Sequence, residues 1–138
     1  MPLNRIEHLG IAVRDLEASE RIFTDVLGAA PYKRETVESE SVITSFFAVG
    51  ENKIELLQAT APESAIAKHI ESRGEGIHHV AFAVDDIYGE IARLKSLGYT
   101  MIHHEPKAGA DGKLIAFLHP KDSNKVLVEL CMDAPKHG

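Results

Sequence analysis

The stretch GIHHVAFAV at residues 76–84 decides the fold, because a variant of it, IEHLGIAV, occupies residues 6–13. When His8 is aligned with His79, small residues and a final valine fall at matching positions in both copies. Both stretches are rich in apolar and β-branched residues, which is typical of strands. An aspartate that can cap a helix follows each of them. The chain is therefore predicted to contain two copies of one module.

Composition and length exclude several classes of protein. The chain has 138 residues, which suits one compact domain, 1–138. The hydrophobic fraction of 44% and the charged fraction of 26% are ordinary for a soluble protein, and no apolar run approaches the roughly 20 residues of a membrane helix. No signal-peptide layout precedes residue 7, and the sole cysteine, Cys131, cannot form an internal disulfide, so we expect a cytoplasmic protein. The net charge of −6, without a basic block, argues against a nucleic-acid surface.

Each copy predicts the element order β-α-β-β-β. The first module covers about residues 5–60, the second about 76–131, and a connecting helix at about 62–74 joins them, with Pro62 in its first turn. In the first module we expect strands at 6–13, 30–34, 41–49 and 53–58 and a helix from the Asp15 cap to Gly28. In the second we expect strands at 77–84, 99–103, 113–119 and 125–131 and a helix from Asp86 to Gly98.

Each module ends in an apolar strand that contains one glutamate. Glu55 follows His8, and Glu129 follows His79, at nearly the same spacing. A charged carboxylate in an apolar strand is costly unless it is paired or bound to a metal. Two imidazoles and two carboxylates suit a divalent metal ion, and four protein ligands in an octahedral site would leave two positions for water or substrate oxygens.

Two other residue types compete for these roles. His78 stands beside His79, but it points to the opposite face of the strand and its counterpart in the first copy is Glu7, so His79 is the predicted ligand. Cys131 is predicted to be a small buried residue rather than a nucleophile. We expect the remaining candidate histidines to be solvated; they are His103, His104 and His137.

Five segments give the chain a resemblance to a known family. They are EHLGIAV at 7–13, GEGIHHVAF at 74–82, EPKAGA at 105–110, FLHPK at 117–121 and VLVEL at 126–130. With the paired His/Glu pattern they resemble the vicinal oxygen chelate superfamily and, within it, the methylmalonyl-CoA epimerase family. This resemblance implies an α+β fold in which two βαβββ modules form one curved mixed sheet around a metal. Glyoxalase I relatives usually have an Asp-Pro-Asp-Gly turn where this chain has His-Pro-Lys.

The resemblance also implies roles for individual residues. The metal ligands would be His8, Glu55, His79 and Glu129, which would hold one divalent ion per chain: Co, Zn, Ni or Mn. Glu129 would be the leading base, with Glu55 as its partner on the opposite face of the substrate. Some members have a second acid on the third strand of the first module, where this chain has Thr44. Two acids lie on the approach to that strand, Glu38 and Glu40.

The activity implied is the interconversion of (2R)- and (2S)-methylmalonyl-CoA by α-proton abstraction through a metal-chelated enolate, in a homodimer. Four lysines near the last hairpin would be available for the phosphates of coenzyme A, although solvated lysines are the simpler interpretation; they are Lys107, Lys113, Lys121 and Lys125. The alternatives are glyoxalase I (lactoylglutathione lyase) and a non-catalytic member that binds a small ligand. A dioxygenase is disfavoured because such sites use two histidines and one carboxylate.

Overall fold

The computed structural model of the protein describes residues 3–135. Its strands are β1 (Leu3–Ala12), β2 (Lys33–Val37), β3 (Val42–Val49), β4 (Asn52–Ala59), β5 (Gly76–Val84), β6 (Lys107–Ala108), β7 (Lys113–Leu118) and β8 (Val128–Asp133). Its helices are α1 (Leu16–Leu27), α2 (Ala65–Arg73) and α3 (Ile87–Ser96), and short 3-10 turns lie at Glu38–Glu40, Ala110–Gly112 and Pro120–Asp122. The order β-α-β-β-β occurs twice, on either side of α2, which confirms the expected α+β class with two βαβββ modules.

The described chain divides into two compact units. One unit contains residues 8–78, and the other contains residues 3–7 together with 79–135. The division falls inside β1, after Glu7, and inside β5, after His78.

In the unit of residues 8–78 the strand order is β2-β3-β4-β1. The β2–β3 and β3–β4 pairs are antiparallel, whereas β1 and β4 run parallel with Gly10 opposite Glu55. Helix α1 begins at its cap, Asp15, whose carboxylate accepts a hydrogen bond from the Ala18 amide, and it ends at Gly28 in the left-handed conformation that glycine adopts without strain. The helix packs on a buried apolar cluster formed by Val13, Leu16, Phe47 and Leu56.

In the other unit the strand order is β5-β8-β7-β6. Strands β5 and β8 run parallel with Ala81 opposite Glu129, and the β7–β8 and β6–β7 pairs are antiparallel. Because Ala81 is the repeat counterpart of Gly10, both glutamates have the same register beside the histidine strand of their own unit. Helix α3 is capped by Asp86 and covers a buried cluster made of Val84, Ile87, Ile91, Met101, Ala116, Leu118 and Leu130.

Four predicted boundaries are wrong, and local backbone chemistry explains three of them. The connecting helix begins after Ser64, whose hydroxyl accepts from the Ala67 amide, so Pro62 lies before it. The last strand begins at Val128 rather than at 125, because Asn124 and Lys125 have positive φ and lie in the preceding loop. The predicted strand at 99–103 is reduced to a bridge between Met101 and Leu118, while Asp122 accepts a hydrogen bond from the Thr100 amide. The short strand of the first module is β2, three residues later than the predicted 30–34.

One half-buried carboxylate, that of Glu20, connects α1 to the sheet of its unit. Glu20 accepts hydrogen bonds from the Arg34 guanidinium on β2 and from the Ser45 hydroxyl on β3, the latter at 2.6 Å. The bond to Arg34 is the main reason that the pKa of Glu20 lies below its ordinary value of 4.5. Arg34 and Ser45 therefore point to the face of the sheet that α1 covers.

No helix within residues 3–135 is long and apolar enough to span a membrane.

We predict that Glu20→Gln lowers the free energy of unfolding at pH 7 by about 1–2 kcal/mol, because it removes charge-assisted hydrogen bonds. The matched control on the same helix is Glu17→Gln, whose carboxylate is 80% exposed beside Arg21 and should change stability by less than about 0.5 kcal/mol. Urea denaturation of the three proteins measures both effects.

The effect of Glu20→Gln should also depend on pH in a defined direction. The folded-state pKa of Glu20 is lowered, so its contribution is complete above the unfolded value of 4.5 and is lost as the pH falls through the folded value. The gap between wild type and Glu20→Gln should therefore shrink below about pH 4. A gap that stays constant from pH 7 to pH 3 would contradict this assignment.

Candidate metal and catalytic site

The first pair of candidate site residues lies in the unit of residues 8–78. His8 on β1 and Glu55 on β4 are both buried, and the Nδ1 atom of His8 lies 3.1 Å from Oε2 of Glu55. The parallel pairing of the two strands, with Gly10 opposite Glu55, brings these side chains to the same face of the sheet. A buried carboxylate thus has the imidazole neighbour that its burial requires.

The second pair lies in the unit of residues 79–135. His79 on β5 and Glu129 on β8 are likewise buried, with 3.7 Å between Nε2 of His79 and Oε1 of Glu129. The edge of the imidazole meets the ring of Phe117, with 5.8 Å between ring centroids. The structure therefore brings the four predicted ligands together as two His–Glu pairs, one in each unit, in equivalent strand positions.

His78 lies in a different environment from its neighbour. Its ring packs edge-on against His69 of α2, with 4.9 Å between centroids, which confirms that it faces the helix. Burial, with a smaller effect from His69, lowers the pKa of His78 to about 4. Burial, and then the charge of Arg73, also lowers the pKa of His69. His78 is therefore neutral at pH 7 and forms part of the packing between strand and helix.

The two acids named beside the third strand lie before it in the chain, outside β3. Thr44 lies on β3 and is almost completely buried. Glu38 and Glu40 lie in the 3-10 turn that precedes β3, and Glu38 is exposed to solvent. Thr44 therefore has the strand position that the sequence predicts, and neither acid lies on that strand.

The remaining histidines and the cysteine differ in how far they are exposed to solvent. His104 is exposed as expected, whereas His103 is partly buried, with a buried Nδ1 atom, so its predicted solvation is wrong. His137 lies outside the described residues. Cys131 is 1% exposed, packs beside Ala81 and Ile115, and has its thiol 3.6 Å from the Phe82 carbonyl oxygen. These contacts fit the predicted role of a small buried residue.

Sequence reasoning missed the burial of Glu7. This carboxylate, in the middle of β1, is as buried as Glu55 and Glu129, and its Oε2 atom lies 3.9 Å from the Arg5 guanidinium. The criterion that identifies Glu55 and Glu129, a carboxylate within an apolar strand, applies to Glu7 as well. Alignment of the two modules identifies Glu7 only as the counterpart of His78.

The four lysines named for the phosphates of coenzyme A differ in exposure. Lys121 and Lys125 are exposed in the loop between β7 and β8. Lys113 is paired with Asp133 across the same two strands, and Lys107 is half-buried on β6. Only the first two combine exposure with a position in a loop.

Comparison with known families and curated proteins places the chain among characterised proteins. A family model described as Glyoxalase/Bleomycin resistance protein/Dioxygenase superfamily matches residues 7–117. The ethylmalonyl-CoA/methylmalonyl-CoA epimerase of Cereibacter sphaeroides is 40% identical over 130 residues, which cover 93% of this chain and 97% of the relative. The mitochondrial methylmalonyl-CoA epimerase of Homo sapiens is 36% identical over 129 residues, which cover 93% of this chain and 73% of the relative.

Solved structures agree with the sequence relatives. A methylmalonyl-CoA epimerase in complex with methylmalonyl-CoA and NH4+ matches with a TM-score of 0.91 and 33% identity, over 96% of this chain and 99% of the other. A variant of the Streptomyces coelicolor methylmalonyl-CoA epimerase in complex with 2-nitronate-propionyl-CoA matches with a TM-score of 0.92 and 33% identity, over 99% of both chains. These matches confirm the resemblance inferred from the five sequence segments. The chain therefore belongs to the Glyoxalase/Bleomycin resistance protein/Dioxygenase superfamily and, within it, to the methylmalonyl-CoA epimerase family of isomerases.

Proposed function

We propose that this protein is a metal-dependent epimerase that interconverts (2R)- and (2S)-methylmalonyl-CoA. The observation that carries the proposal is the pair of equivalent, buried His–Glu contacts, His8 with Glu55 and His79 with Glu129. Relatives named as epimerases of methylmalonyl-CoA, and related structures that contain methylmalonyl-CoA or a 2-nitronate analogue, support the substrate class. The substrate would thus be an acyl-CoA with a carboxylate and a thioester on the same carbon.

We further propose that residues 1–138 act as one domain in which both pairs hold a single divalent ion. The chemistry of the donors fits such an ion, because imidazole nitrogen and carboxylate oxygen together suit Co, Zn, Ni or Mn. Burial supports the same conclusion, since Glu55 and Glu129 are 6% and 4% exposed and a buried carboxylate requires a positive or hydrogen-bonding partner. The proposed ligands are His8, Glu55, His79 and Glu129.

A bound cation would supply Lewis-acid stabilisation of negative charge on the substrate oxygens. The chain itself would supply the proton transfers. Glu129 would accept the α-proton on one carboxylate oxygen and return a proton in the reverse direction, as microscopic reversibility demands. Phe117, which packs against the His79 ring, would limit the orientations of that imidazole and so help to fix the carboxylate beside it.

The proton on the opposite face of the α-carbon needs a second group. Glu55 is a candidate for this group, because it is the carboxylate of the other module that is equivalent to Glu129. Its 3.1 Å contact with His8 also makes it a candidate ligand of the cation. Glu55 is therefore proposed both as a ligand and as the opposite-face partner of Glu129.

The expected assembly is a homodimer in the cytoplasm. The homodimer is proposed from the family resemblance alone, and the buried thiol of the sole cysteine is compatible with a reducing compartment. Lys121 and Lys125 are proposed to meet the phosphates of coenzyme A, because both are exposed in one loop.

We predict that the metal-loaded protein incorporates deuterium at the α-carbon when it is incubated with either epimer of methylmalonyl-CoA in deuterated water. Glu129→Gln should slow this exchange at least about 100-fold, because general acid–base groups typically contribute 10²- to 10⁴-fold. Glu63→Gln, which alters an exposed carboxylate, is the control and should behave as wild type. Mass spectrometry of the recovered thioester measures the exchange.

The same preparation should be assayed with the hemithioacetal of methylglyoxal and glutathione. Turnover of that substrate without α-exchange of methylmalonyl-CoA would favour glyoxalase I instead. Binding of an acyl-CoA without any exchange would favour a non-catalytic member of the superfamily.

We predict that the wild-type protein, stripped of metal, binds about one equivalent of Co²⁺ per chain. His79→Ala should weaken this binding at least tenfold and reduce the rise in melting temperature that Co²⁺ produces. His78→Ala is the matched control, because this neighbouring ring packs against α2, and it should bind Co²⁺ as wild type does. Calorimetric titration measures the affinity, and equal binding by the two variants would contradict the ligand assignment.

A further inference from the structure

In the unit of residues 8–78, the face of the sheet that holds Glu55 is covered at one end by α2. The cluster that α2 covers consists of Ala12, Val42, Leu57 and Ile66. Leu57 is two residues after Glu55 on β4, so both side chains point to the same face, which we call the site face. The site face therefore changes, within two residues of β4, from the His8–Glu55 contact to an apolar end beneath a helix.

Thr44 on β3 lies at this change. The next residue, Ser45, reaches Glu20 of α1 on the opposite face, and side chains alternate along a strand, so Thr44 points to the site face. In the antiparallel β3–β4 pair, Thr44 is directly opposite Leu57, and Glu55 is its diagonal neighbour. Diagonal neighbours in such a pair are about 7–8 Å apart, so a short acyl group above the sheet can contact both side chains.

The hydroxyl groups of Thr44 and Ser45 are both buried, but they differ in their hydrogen bonding. The Ser45 hydroxyl donates to Glu20 at 2.6 Å. The Thr44 side chain is 1% exposed, and its hydroxyl oxygen has no hydrogen-bond partner among residues 3–135. Buried hydroxyl groups in native proteins nearly always have a partner, so each exception requires an explanation. The hydroxyl without a partner is the one on the site face.

Resting on the proposed function, we propose that Thr44 is a specificity-determining residue whose hydroxyl donates a hydrogen bond to the carboxylate of the acyl-CoA substrate. A carboxylate has two oxygens that only accept hydrogen bonds, and burying one of them without a donor is costly. Glu55, the diagonal neighbour, cannot be that donor when it is ionised. The Thr44 hydroxyl and the substrate carboxylate therefore satisfy each other.

This contact selects acyl-CoA molecules that carry a carboxylate on the α-carbon. A simple acyl-CoA such as propionyl-CoA has a hydrogen at that place and leaves the Thr44 hydroxyl buried without a partner. Sites built to form a hydrogen bond discriminate strongly against an analogue that lacks the matching group, for the same reason. The apolar side chains next to Thr44, those of Leu57 and Val42, offer the carboxylate no alternative donor.

The proposal has a consequence for the stability of the protein without substrate. A buried hydroxyl that has no partner lowers stability, and valine replaces it with a methyl group of similar shape. Thr44→Val should therefore raise the melting temperature of the metal-loaded protein, without acyl-CoA, by about 2 °C or more. A hydroxyl with a structural partner would give the opposite sign.

The test measures the binding of malonyl-CoA and propionyl-CoA to the metal-loaded protein by calorimetric titration. Thr44→Val should weaken malonyl-CoA binding at least about tenfold, because it removes a hydrogen bond to a charged group, and should leave propionyl-CoA binding within about twofold of wild type. Thr44→Ser, which keeps the hydroxyl, should bind both ligands within about threefold of wild type. The matched control is Thr36→Val, the same substitution at an exposed position on β2, which should change neither binding nor melting temperature.

Three other outcomes would overturn the inference. Equal weakening of both ligands by Thr44→Val would show that the hydroxyl does not recognise the carboxylate. A lower melting temperature of Thr44→Val would show that the hydroxyl has a structural role. Unchanged malonyl-CoA binding by Thr44→Val, with normal α-proton exchange in the wild type, would refute the inference and leave the proposed function intact. Absence of exchange in the wild type would instead refute the proposed function, whatever the binding shows.

Discussion

A carboxylate in the middle of an apolar strand needs a partner, and this need arises at equivalent places in both modules. Glu55 contacts His8, and Glu129 contacts His79, in each case between two parallel strands. The surrounding sequence serves this arrangement: small residues follow each histidine on its own face of the strand, and bulky residues occupy the other face under a helix. The fold and the candidate chemistry therefore depend on the same alternation of side chains.

The internal repeat made most of this architecture predictable. Comparison of residues 6–13 with 76–84 selected His79 over His78, and the ring of His78 indeed packs against α2. The capping residues predict the helix ends well, because Asp15, Gly28 and Asp86 each act through contacts within a few positions along the chain. The glutamates of the closing strands were found because a charge in an apolar run is itself informative.

The remaining differences come from contacts that a local pattern does not contain. Residues 99–103 have strand composition, but a hydrogen bond from the Thr100 amide to Asp122 engages this segment with the β7–β8 loop. The pairing of Glu35 with Thr44 depends on the register of β2, and β2 begins three residues later than its composition suggested. The burial of Glu7 is not predictable from the repeat, because Glu7 has no matching acid in the second module.

The shared register of the two glutamates has a consequence for folding. A slip of one residue between β1 and β4, or between β5 and β8, turns every side chain of the slipped strand to the opposite face. A slip of β4 would turn Glu55 away from the His8 imidazole and into the apolar cluster around Phe47 beneath α1. Burying the unpaired carboxylate there would cost several kcal/mol. The same residues that make the site polar thus act against misaligned strand pairs, so a pattern retained for chemistry also selects one alignment of the sheet during folding.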